Sequence, residues 1–175
     1  DAAAYGDLYQ WGRFTDGHQC RDSSETTVLA TNSTPEHSDF IRSSGSPNDW
    51  LTPHEFNTLW QGVDGVNNPC PSGYRIPTAT ELDNERLSWS SNNDAGAFGS
   101  PLKLPVAGFR DAGNIYFAGS QGYYWSRNNT NIDQYDGRSY SYWKSIDLAF
   151  HSPIDSGHKY SSNRDEGISV RCIKD

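Results

Sequence analysis

The stretch Asn68-Pro-Cys-Pro-Ser-Gly-Tyr-Arg-Ile-Pro-Thr-Ala-Thr-Glu-Leu82 carries the clearest structural signals in the sequence. Its Cys-Pro-Ser-Gly segment at 70–73 is typical of a turn. Thr78 and Glu81 then form a capping box, in which each side chain accepts a hydrogen bond from the other residue's backbone N–H at a helix start. Because apolar residues continue at helical spacing beyond the box, we predict a helix over residues 79–89.

A second helix start lies upstream, in the segment Thr52-Pro-His-Glu55. Thr suits the capping position, Pro the first helical position, and Glu the third position after the cap. With Leu59 and Trp60 facing the core, the segment predicts a helix over residues 53–61, and we expect no helix besides these two. The preceding residues 15–49 are polar and lack periodicity, so we predict a long irregular region there.

Short alternating segments, separated by glycine-containing turns, dominate the sequence beyond residue 90. With one further strand near the start, we predict strands at residues 5–11, 102–107, 115–118, 123–126, 142–150 and 168–173. Two irregular loops, 127–141 and 151–167, are expected between the late strands. Helices in the first half and strands in the second half predict an α+β domain.

The composition indicates one acidic domain that is rich in aromatic residues. A length of 175 residues suits a single compact domain, and no internal repeat or linker divides it. Six Trp, ten Tyr and seven Phe exceed what packing needs, so we expect some rings at the surface, where they serve binding. The net charge of −8 argues against a nucleic-acid partner. No apolar run reaches the roughly 18 residues that span a bilayer, so membrane insertion is not expected.

Cys20, Cys70 and Cys172 allow three single-disulfide pairings. Cys70 opens a turn and Cys172 ends the last apolar alternation, and these contexts favour a bridge between the two, with Cys20 incidental. Three buried thiols in a reducing compartment are the alternative. The sequence also contains neither a signal peptide nor a methionine, so we interpret it as a module of a mature, longer exported protein.

Three further segments follow the stretch at 68–82, namely Leu104-Pro-Val-Ala-Gly-Phe-Arg110, Gly122-Tyr-Tyr-Trp-Ser126 and Gly167-Ile-Ser-Val-Arg-Cys172. In this order they resemble the Fibrobacter succinogenes major paralogous domain family, over nearly the whole chain. The Tyr-Arg-Ile-Pro-Thr-x-x-Glu motif and the closing Ser-Val-Arg are also similar to the formylglycine-generating enzyme branch of C-type-lectin-like folds. The resemblance implies two short helices, a small twisted antiparallel sheet, long loops and the Cys70–Cys172 disulfide.

The same resemblance implies a recognition function and no catalysis. The enzyme branch binds copper through a pair of Cys near its C-terminal end, where this chain has only Cys172. The sequence also lacks His-Glu-x-x-His, Gly-x-Ser-x-Gly and phosphate-binding glycine motifs, so no catalytic residue is expected. Similar domains occur near the ends of giant calcium-dependent bacterial adhesins. We therefore expect a monomeric, extracellular module of a bacterial surface protein that binds a peptide or protein.

Aromatic, amide and charged side chains concentrate in the two late loops and beside them. These loops are expected to gather at one end of the sheet, as the resemblance implies for ligand-reading residues. The predicted ligand-binding residues are Arg127, Asn128, Asn129, Tyr140, Tyr142, Trp143, Asp155 and His158. Tyr123 and Trp125 are expected in the core, because their glycine-flanked segment reads as buried.

Calcium is the predicted metal, because the acidic loops offer hard oxygen ligands. Asp133-Gln-Tyr-Asp136 resembles part of a calcium loop without the spacing of an EF-hand, and Asp111-Ala-Gly-Asn114 is a second acidic turn. Each segment alone also fits an Asx-turn that satisfies its own backbone. The candidate ligands are Asp111, Asn114, Asp133 and Asp136.

Two rival functions stay open at this level. A carbohydrate-binding lectin is the first, although the Glu-Pro-Asn and Gln-Pro-Asp signatures of sugar-binding C-type lectins are missing. A structural envelope domain on a degenerate enzyme fold is the second. Peptide and glycan binding, measured with and without calcium, distinguishes the three.

Overall fold

The computed structural model describes residues 2–45, 47–53, 58–132, 142–152 and 157–175. After a short 3-10 helix at Ala2–Ala4, the elements are β1 (Tyr9–Gln10), β2 (Glu25–Thr26), β3 (Phe40–Ile41), β4 (Tyr74–Arg75), α1 (Ala79–Leu87), α2 (Asp94–Gly99), β5 (Phe109–Asp111), β6 (Asn114–Tyr116), β7 (Gln121–Ile132), β8 (Tyr142–His151), β9 (His158–Asn163), β10 (Gly167–Ile168) and β11 (Ile173–Lys174). Two short α-helices and several small, mostly antiparallel sheets confirm the predicted α+β class.

The two larger sheets lie side by side. β7, β8 and β9 form an antiparallel sheet in that order, and a four-stranded antiparallel sheet has the order β1-β10-β5-β6. A bridge between Tyr124 and Ser169 connects them, and the Trp125 backbone N–H donates to the Ser169 carbonyl at 3.0 Å. Two further pairs are antiparallel β4-β11 and parallel β2-β3.

Helix α1 begins where the capping box predicted. The Glu81 N–H donates to Thr78 Oγ1 at 3.1 Å, and the Thr78 N–H donates to Glu81 Oε2 at 2.7 Å. Arg75, on β4, adds two bonds of 2.8 Å to the Glu81 carboxylate and one of 2.6 Å to Asp175. The Tyr-Arg-Ile-Pro-Thr-x-x-Glu motif therefore joins β4, α1 and residue 175 in one polar network.

The helix predicted over 53–61 is wrong for its described part. Residues 58–60 form a turn, closed by a bond of 3.2 Å from the Gln61 N–H to the Thr58 carbonyl, and residues 54–57 lie outside the described residues. Tertiary contacts override the local pattern here, since the Leu59 carbonyl accepts from the Asn67 N–H at 2.9 Å instead of from a helical partner.

The second helix, α2, was not predicted. It has only six residues, and its capping bond runs from the Gly96 N–H to the Asn93 side chain at 3.2 Å. A helix this short shows no apolar periodicity in the sequence. In the part of the chain that the structure describes, no helix combines the length and apolar character needed to cross a membrane.

The late loops are shorter than predicted. β7 continues through residues 127–132 and β9 occupies 158–163, so much of both predicted loops is strand. β8 pairs with both, and a register irregularity between Trp125 and Asn129 interrupts the β7-β8 ladder. Backbone pairing on both sides of β8 outweighs the low strand propensity of Asn and Ser.

The remaining strand predictions need smaller corrections. Residues 102–107 form no strand, since Pro105 lacks an N–H and Leu104 instead donates to the Ala97 carbonyl of α2 at 3.2 Å. Residues 5–11 contain only the two-residue β1, and residues 168–173 are divided between β10 and β11. The region 15–49 is mostly irregular, as predicted, apart from β2 and β3.

Four tryptophans in the described residues are almost completely buried, and each indole N–H donates to a main-chain carbonyl. Trp11 bonds Ser126 at 3.0 Å and Trp125 bonds Tyr9 at 2.7 Å. Trp50 bonds Trp11 at 2.7 Å, while Trp60 bonds Arg13 at 3.3 Å. These indoles fill the core and also satisfy carbonyls in irregular segments.

The predicted disulfide between Cys70 and Cys172 is confirmed. The two Cα atoms are 5.7 Å apart, and the bridge lies beside the β4-β11 pair. Cys20 is exposed and free, as expected of an incidental cysteine.

We predict that the double substitution C70S/C172S lowers the free energy of unfolding by about 4–5 kcal/mol. The bridge spans 102 residues, and a loop of that length loses considerable entropy in the unfolded chain when it is closed. Urea unfolding measures the change, and C20S is the matched control. Equal stability of the double variant and C20S would contradict the prediction.

Candidate functional site

A cleft of about 310 Å³ lies between the three-stranded sheet and the β5-β6 hairpin. It is lined by Phe109, Phe117, Tyr123, Ala149, His151, His158, Tyr160, Ser162 and Glu166. The lining combines four aromatic rings, two imidazoles and one carboxyl group.

Strand alternation explains why the sheet presents these side chains. On β8, Leu148 and Phe150 are buried in the core with α1 and α2, whereas Ala149 and His151 face the cleft. Ala149 is paired with Tyr123 on β7 and with His158 on β9, so these three residues form one row across the sheet. The opposite sheet face is core, and this face is therefore available to a ligand.

The β5-β6 hairpin and the residue after it supply the aromatic wall. The Phe109 ring stacks on Tyr116 at 5.5 Å and meets Tyr123 edge-on at 5.2 Å. Phe117 lies 6.0 Å from Phe109 and is 50% exposed, while Tyr160 on the sheet is 51% exposed. Exposed rings gathered around a concavity are typical of binding surfaces.

Phe117 occupies an unusual backbone conformation, with φ of 57° in the left-handed region. Bulky side chains rarely adopt this region, and such strain concentrates at functional sites. Its carbonyl accepts two hydrogen bonds of 3.0 Å, from the N–H groups of Ser120 and Gln121, which hold the turn. The main chain of Phe117 is thus held in place beside the cleft that its ring lines.

The two histidines form an edge-to-face row with Tyr160. The ring centroids of His151 and His158 are 6.4 Å apart, and those of His158 and Tyr160 are 5.8 Å apart. The row lies along one side of the cleft, since all three residues line it.

The carboxyl group of Glu166 is the most perturbed acid of the site. Burial raises its pKa to about 7, and the negative charges of Asp165 and Asp111 contribute further. The Asn163 amide donates to Glu166 Oε1 at 2.9 Å, which partly offsets the effect. Near neutral pH, therefore, the folded protein holds this carboxyl about half protonated.

The turn that carries Glu166 is anchored on both sides. The guanidinium of Arg164 lies 4.4 Å from the centre of the Trp11 ring and 3.6 Å from the Asp49 carboxylate. The Asp165 carboxylate accepts from the Ser43 hydroxyl at 2.5 Å. Glu166 consequently sits on a rigid support, which lowers the entropy lost when a ligand binds.

The sequence predicted one member of this cleft, His158, among its ligand-binding residues. Arg127 and Asn128 lie elsewhere and tie β7 to the start of α1. The Arg127 N–H donates to the Pro77 carbonyl at 2.8 Å, and Asn128 Oδ1 accepts from the Ala79 N–H at 2.8 Å. Asn129 pairs with Ser145 across β7 and β8 and does not line the cleft.

Six of the predicted site residues lie in or next to segments outside the described ranges. Tyr142 and Trp143 begin β8, where their backbones pair with Ile132 and Asn131, and only these backbones are described. Tyr140, Asp133, Asp136 and Asp155 lie outside the described residues.

The predicted loops 127–141 and 151–167 do not gather at one end of the sheet in their described parts, which corrects the sequence prediction. β7 ends at Ile132 beside Tyr142, and β9 begins at His158 beside Ala149, near the other end of β8. The two ends of the ten-residue β8 are about 30 Å apart. The cleft, with His151 and His158, is at the end where β8 stops and β9 begins.

The predicted calcium ligands Asp111 and Asn114 face each other across the β5-β6 hairpin. Asn114 Nδ2 donates to the Ala112 carbonyl at 3.0 Å, so this segment forms a self-satisfied turn. Over the described ranges, no group of three or more His, Cys, Asp or Glu residues could hold a metal ion.

Sequence reasoning missed most of the cleft. Trp125 lies in the core, as predicted. Tyr123 was also expected in the core, but it is half-buried and lines the cleft, and its neighbour Tyr124 is buried instead. Glu166, Phe117 and His151 were not singled out. The alternating pattern of residues 147–151 and 158–162 could have identified the shared face, once both were recognised as strands.

No family model, curated protein or solved structure matches the chain. The chemistry of the cleft is therefore inferred from its geometry. Rings on a rigid sheet, with a partly buried carboxyl at their base, are suited to holding a ligand group and excluding water from it.

We predict that E166Q stabilises the free protein at pH 8 by about 1–3 kcal/mol and has much less effect at pH 5. A raised folded pKa means that the contribution of Glu166 to stability is full below its ordinary pKa of 4.5 and is lost as the pH rises through about 7. Gln stays neutral and keeps an acceptor for Asn163. Urea unfolding at both pH values measures this.

The control for this prediction is E36Q, which removes an exposed carboxylate. If the free energy of unfolding of E166Q depends on pH in the same way as that of the unsubstituted chain, Glu166 has an ordinary pKa and the prediction is wrong.

Proposed function

We propose that the chain is a non-enzymatic, extracellular recognition module of a bacterial adhesin, and that it binds a peptide or protein segment in the aromatic cleft. The observation that carries the proposal is the aromatic lining of a cleft of about 310 Å³ on a rigid sheet face. The resemblance of the sequence to surface-displayed bacterial domains supports the location and the class of ligand.

The size of the cleft limits what enters it. Drug-sized ligands occupy pockets of about 300–1,000 Å³, so this cleft, at the lower limit, accepts one or two side chains of a peptide. The exposed rings of Phe117 and Tyr160 would contact the ligand on either side of the entrance. Aromatic anchors of this kind often dominate the binding energy of protein interfaces.

The C-type-lectin-like architecture belongs to the same proposal. Two short helices pack on one face of a small antiparallel sheet, and long irregular segments surround it. The Cys70–Cys172 disulfide and the β4-β11 pair join the middle of the chain to its last strand. These features agree with the fold that the sequence resemblance implies.

A lectin function is the second candidate, and one observation favours it. Exposed aromatic rings, here Tyr116, Phe117 and Tyr160, can also stack on the faces of sugar rings. The partly buried Glu166 carboxyl favours a peptide instead, since peptides can carry a cationic group and common sugars are neutral or anionic.

We predict that peptide arrays capture the labelled domain and that glycan arrays do not. F117A should then weaken binding of the selected peptides by about ten-fold or more, because the ring is half exposed and lines the cleft. The matched control is F98A, which removes a similarly exposed phenylalanine from α2, away from the cleft.

Three other outcomes would contradict this assignment. Capture by glycans alone would identify a lectin, and capture by neither array would favour the structural envelope role. Equal effects of F117A and F98A on peptide binding would place the ligand outside the cleft.

Calcium dependence is part of the proposal and concerns loop residues that lie outside the described ones. We predict that saturating calcium raises the Tm and that chelator reverses the rise, because a ligand of the native state alone stabilises it. D133N/D136N should remove the rise in Tm. D111N/N114S tests whether the β5-β6 hairpin contributes to calcium binding. A Tm that is indifferent to calcium and chelator would eliminate the metal.

A further inference from the structure

The base of the cleft is acidic. Glu166 lines it, and the fully buried Asp147 lies opposite Tyr160 in the β8-β9 register, on the same sheet face as Ala149. After burial, the charges of Asp147 and Glu166 are among the causes that raise the pKa of Tyr123 to about 12. None of the described lining residues is Lys or Arg, so Glu166 is the one carboxyl group of a lining without a lysine or arginine to neutralise it.

The basic residues near the cleft are engaged elsewhere. Lys159 alternates to the other face of β9, where its Nζ is 3.4 Å from the Asp83 carboxylate on α1. Arg110 donates to Ser23 and lies 3.3 Å from Glu25. The groups that donate to the Glu166 carboxyl, Asn163 and Ser162, are neutral.

We propose that the cleft binds a cationic group of the ligand, an ammonium or guanidinium ion, between its aromatic rings and against the Glu166 carboxylate. This inference rests on the proposed function and specifies the chemistry of the anchoring side chain, which would be Lys or Arg in a peptide.

Two interactions favour a cation over other groups. A cation near ring faces is attracted by their quadrupoles, and the attraction grows when water is excluded. A cation also pairs with the Glu166 carboxylate, whereas a neutral apolar group would leave this carboxylate without a counter-charge. An anion would meet the carboxylate of Glu166 in the lining.

The lining favours an organic cation over a metal ion. Calcium takes 6–8 oxygen ligands, and the lining of this cleft offers one carboxyl group among mostly aromatic side chains. The described residues also contain no set of three carboxylates, imidazoles or thiols within reach of one ion. A flat guanidinium or a methylene-bearing ammonium suits such walls better.

Binding should release protons and strengthen as the pH rises from 5.5 to 8. Because burial raises the pKa of Glu166 to about 7, a bound cation must shift this carboxyl toward its ionised form. The acids that face Glu166 from the hairpin and its own turn, Asp111 and Asp165, also favour a cation. The other titratable groups in the lining are His151, His158, Tyr123 and Tyr160.

The test uses four small probes at pH 8 and nuclear magnetic resonance titration of the whole domain. The cationic probes are the N-acetyl methylamides of lysine and arginine, and their neutral counterparts are those of norleucine and citrulline. We expect at least ten-fold tighter binding of each cationic probe, with shift changes at Tyr123, His158, Tyr160 and Glu166. Comparison of the lysine and arginine derivatives distinguishes ammonium from guanidinium.

E166Q should reduce the cationic preference to within about two-fold, while E36Q should leave it unchanged. Four results would each overturn the inference. They are equal affinity for cationic and neutral probes, a cationic preference that E166Q leaves unchanged, shift changes that lie outside the cleft, and no detectable binding of any probe. If array peptides bind through Phe117 without a cationic preference, this inference fails alone. If no peptide binds, the proposed function fails, and the probe titration still decides the cation site.

Discussion

Buried main-chain carbonyls need hydrogen-bond donors, and the whole fold depends on how this chain supplies them. Much of the described chain is irregular, so helices and ladders cannot satisfy every carbonyl. Tryptophan indoles do so at four buried positions, and Arg13 and Asn67 add bonds to carbonyls of the polar region that precedes residue 50. Gln10 bonds the Ile41 and Asp165 carbonyls at 2.6 and 2.8 Å, which joins distant segments. Side chains that fill the core thus also fix the loops.

This arrangement leaves one sheet with two different faces. The helices and the cluster around Leu82 and Phe150 cover one face of β7-β8-β9, while the other carries rings, imidazoles and Ala149. The same indole network supports the site, since Arg164 stacks on Trp11 and holds the turn before Glu166. Burial disfavours the ionised form of the Glu166 carboxyl in the free protein. Such a perturbed acid is expected of a site that binds a charged partner.

Signals that act over a few residues predicted one helix start and the disulfide, but they did not predict strand β9 or the aromatic cleft. The capping box of Thr78 and Glu81 and the contexts of Cys70 and Cys172 act over a few residues, and both predictions are confirmed. The polar strand β9 is stabilised by its pairing with β8, which no local pattern of His, Ser and Asn reveals. In the described part of the helix expected at 53–61, residues 58–60 form a turn, and the Leu59 carbonyl accepts a hydrogen bond from the distant Asn67 N–H. The role of Glu166 arises from burial beside Asp165 and Asp111, and these contacts exist only after folding.

The central claim is that the partly buried Glu166 carboxyl of the aromatic cleft pairs with a cation of the ligand. Its ionisation can be followed directly through the side-chain carboxyl carbon in a pH titration by nuclear magnetic resonance, with the domain free and with N-acetyl-arginine methylamide at saturation. We expect a midpoint near pH 7 for the free domain and a clearly lower midpoint in the presence of the probe. A midpoint in the ordinary range of glutamate, or one that the probe leaves unchanged, would contradict the claim.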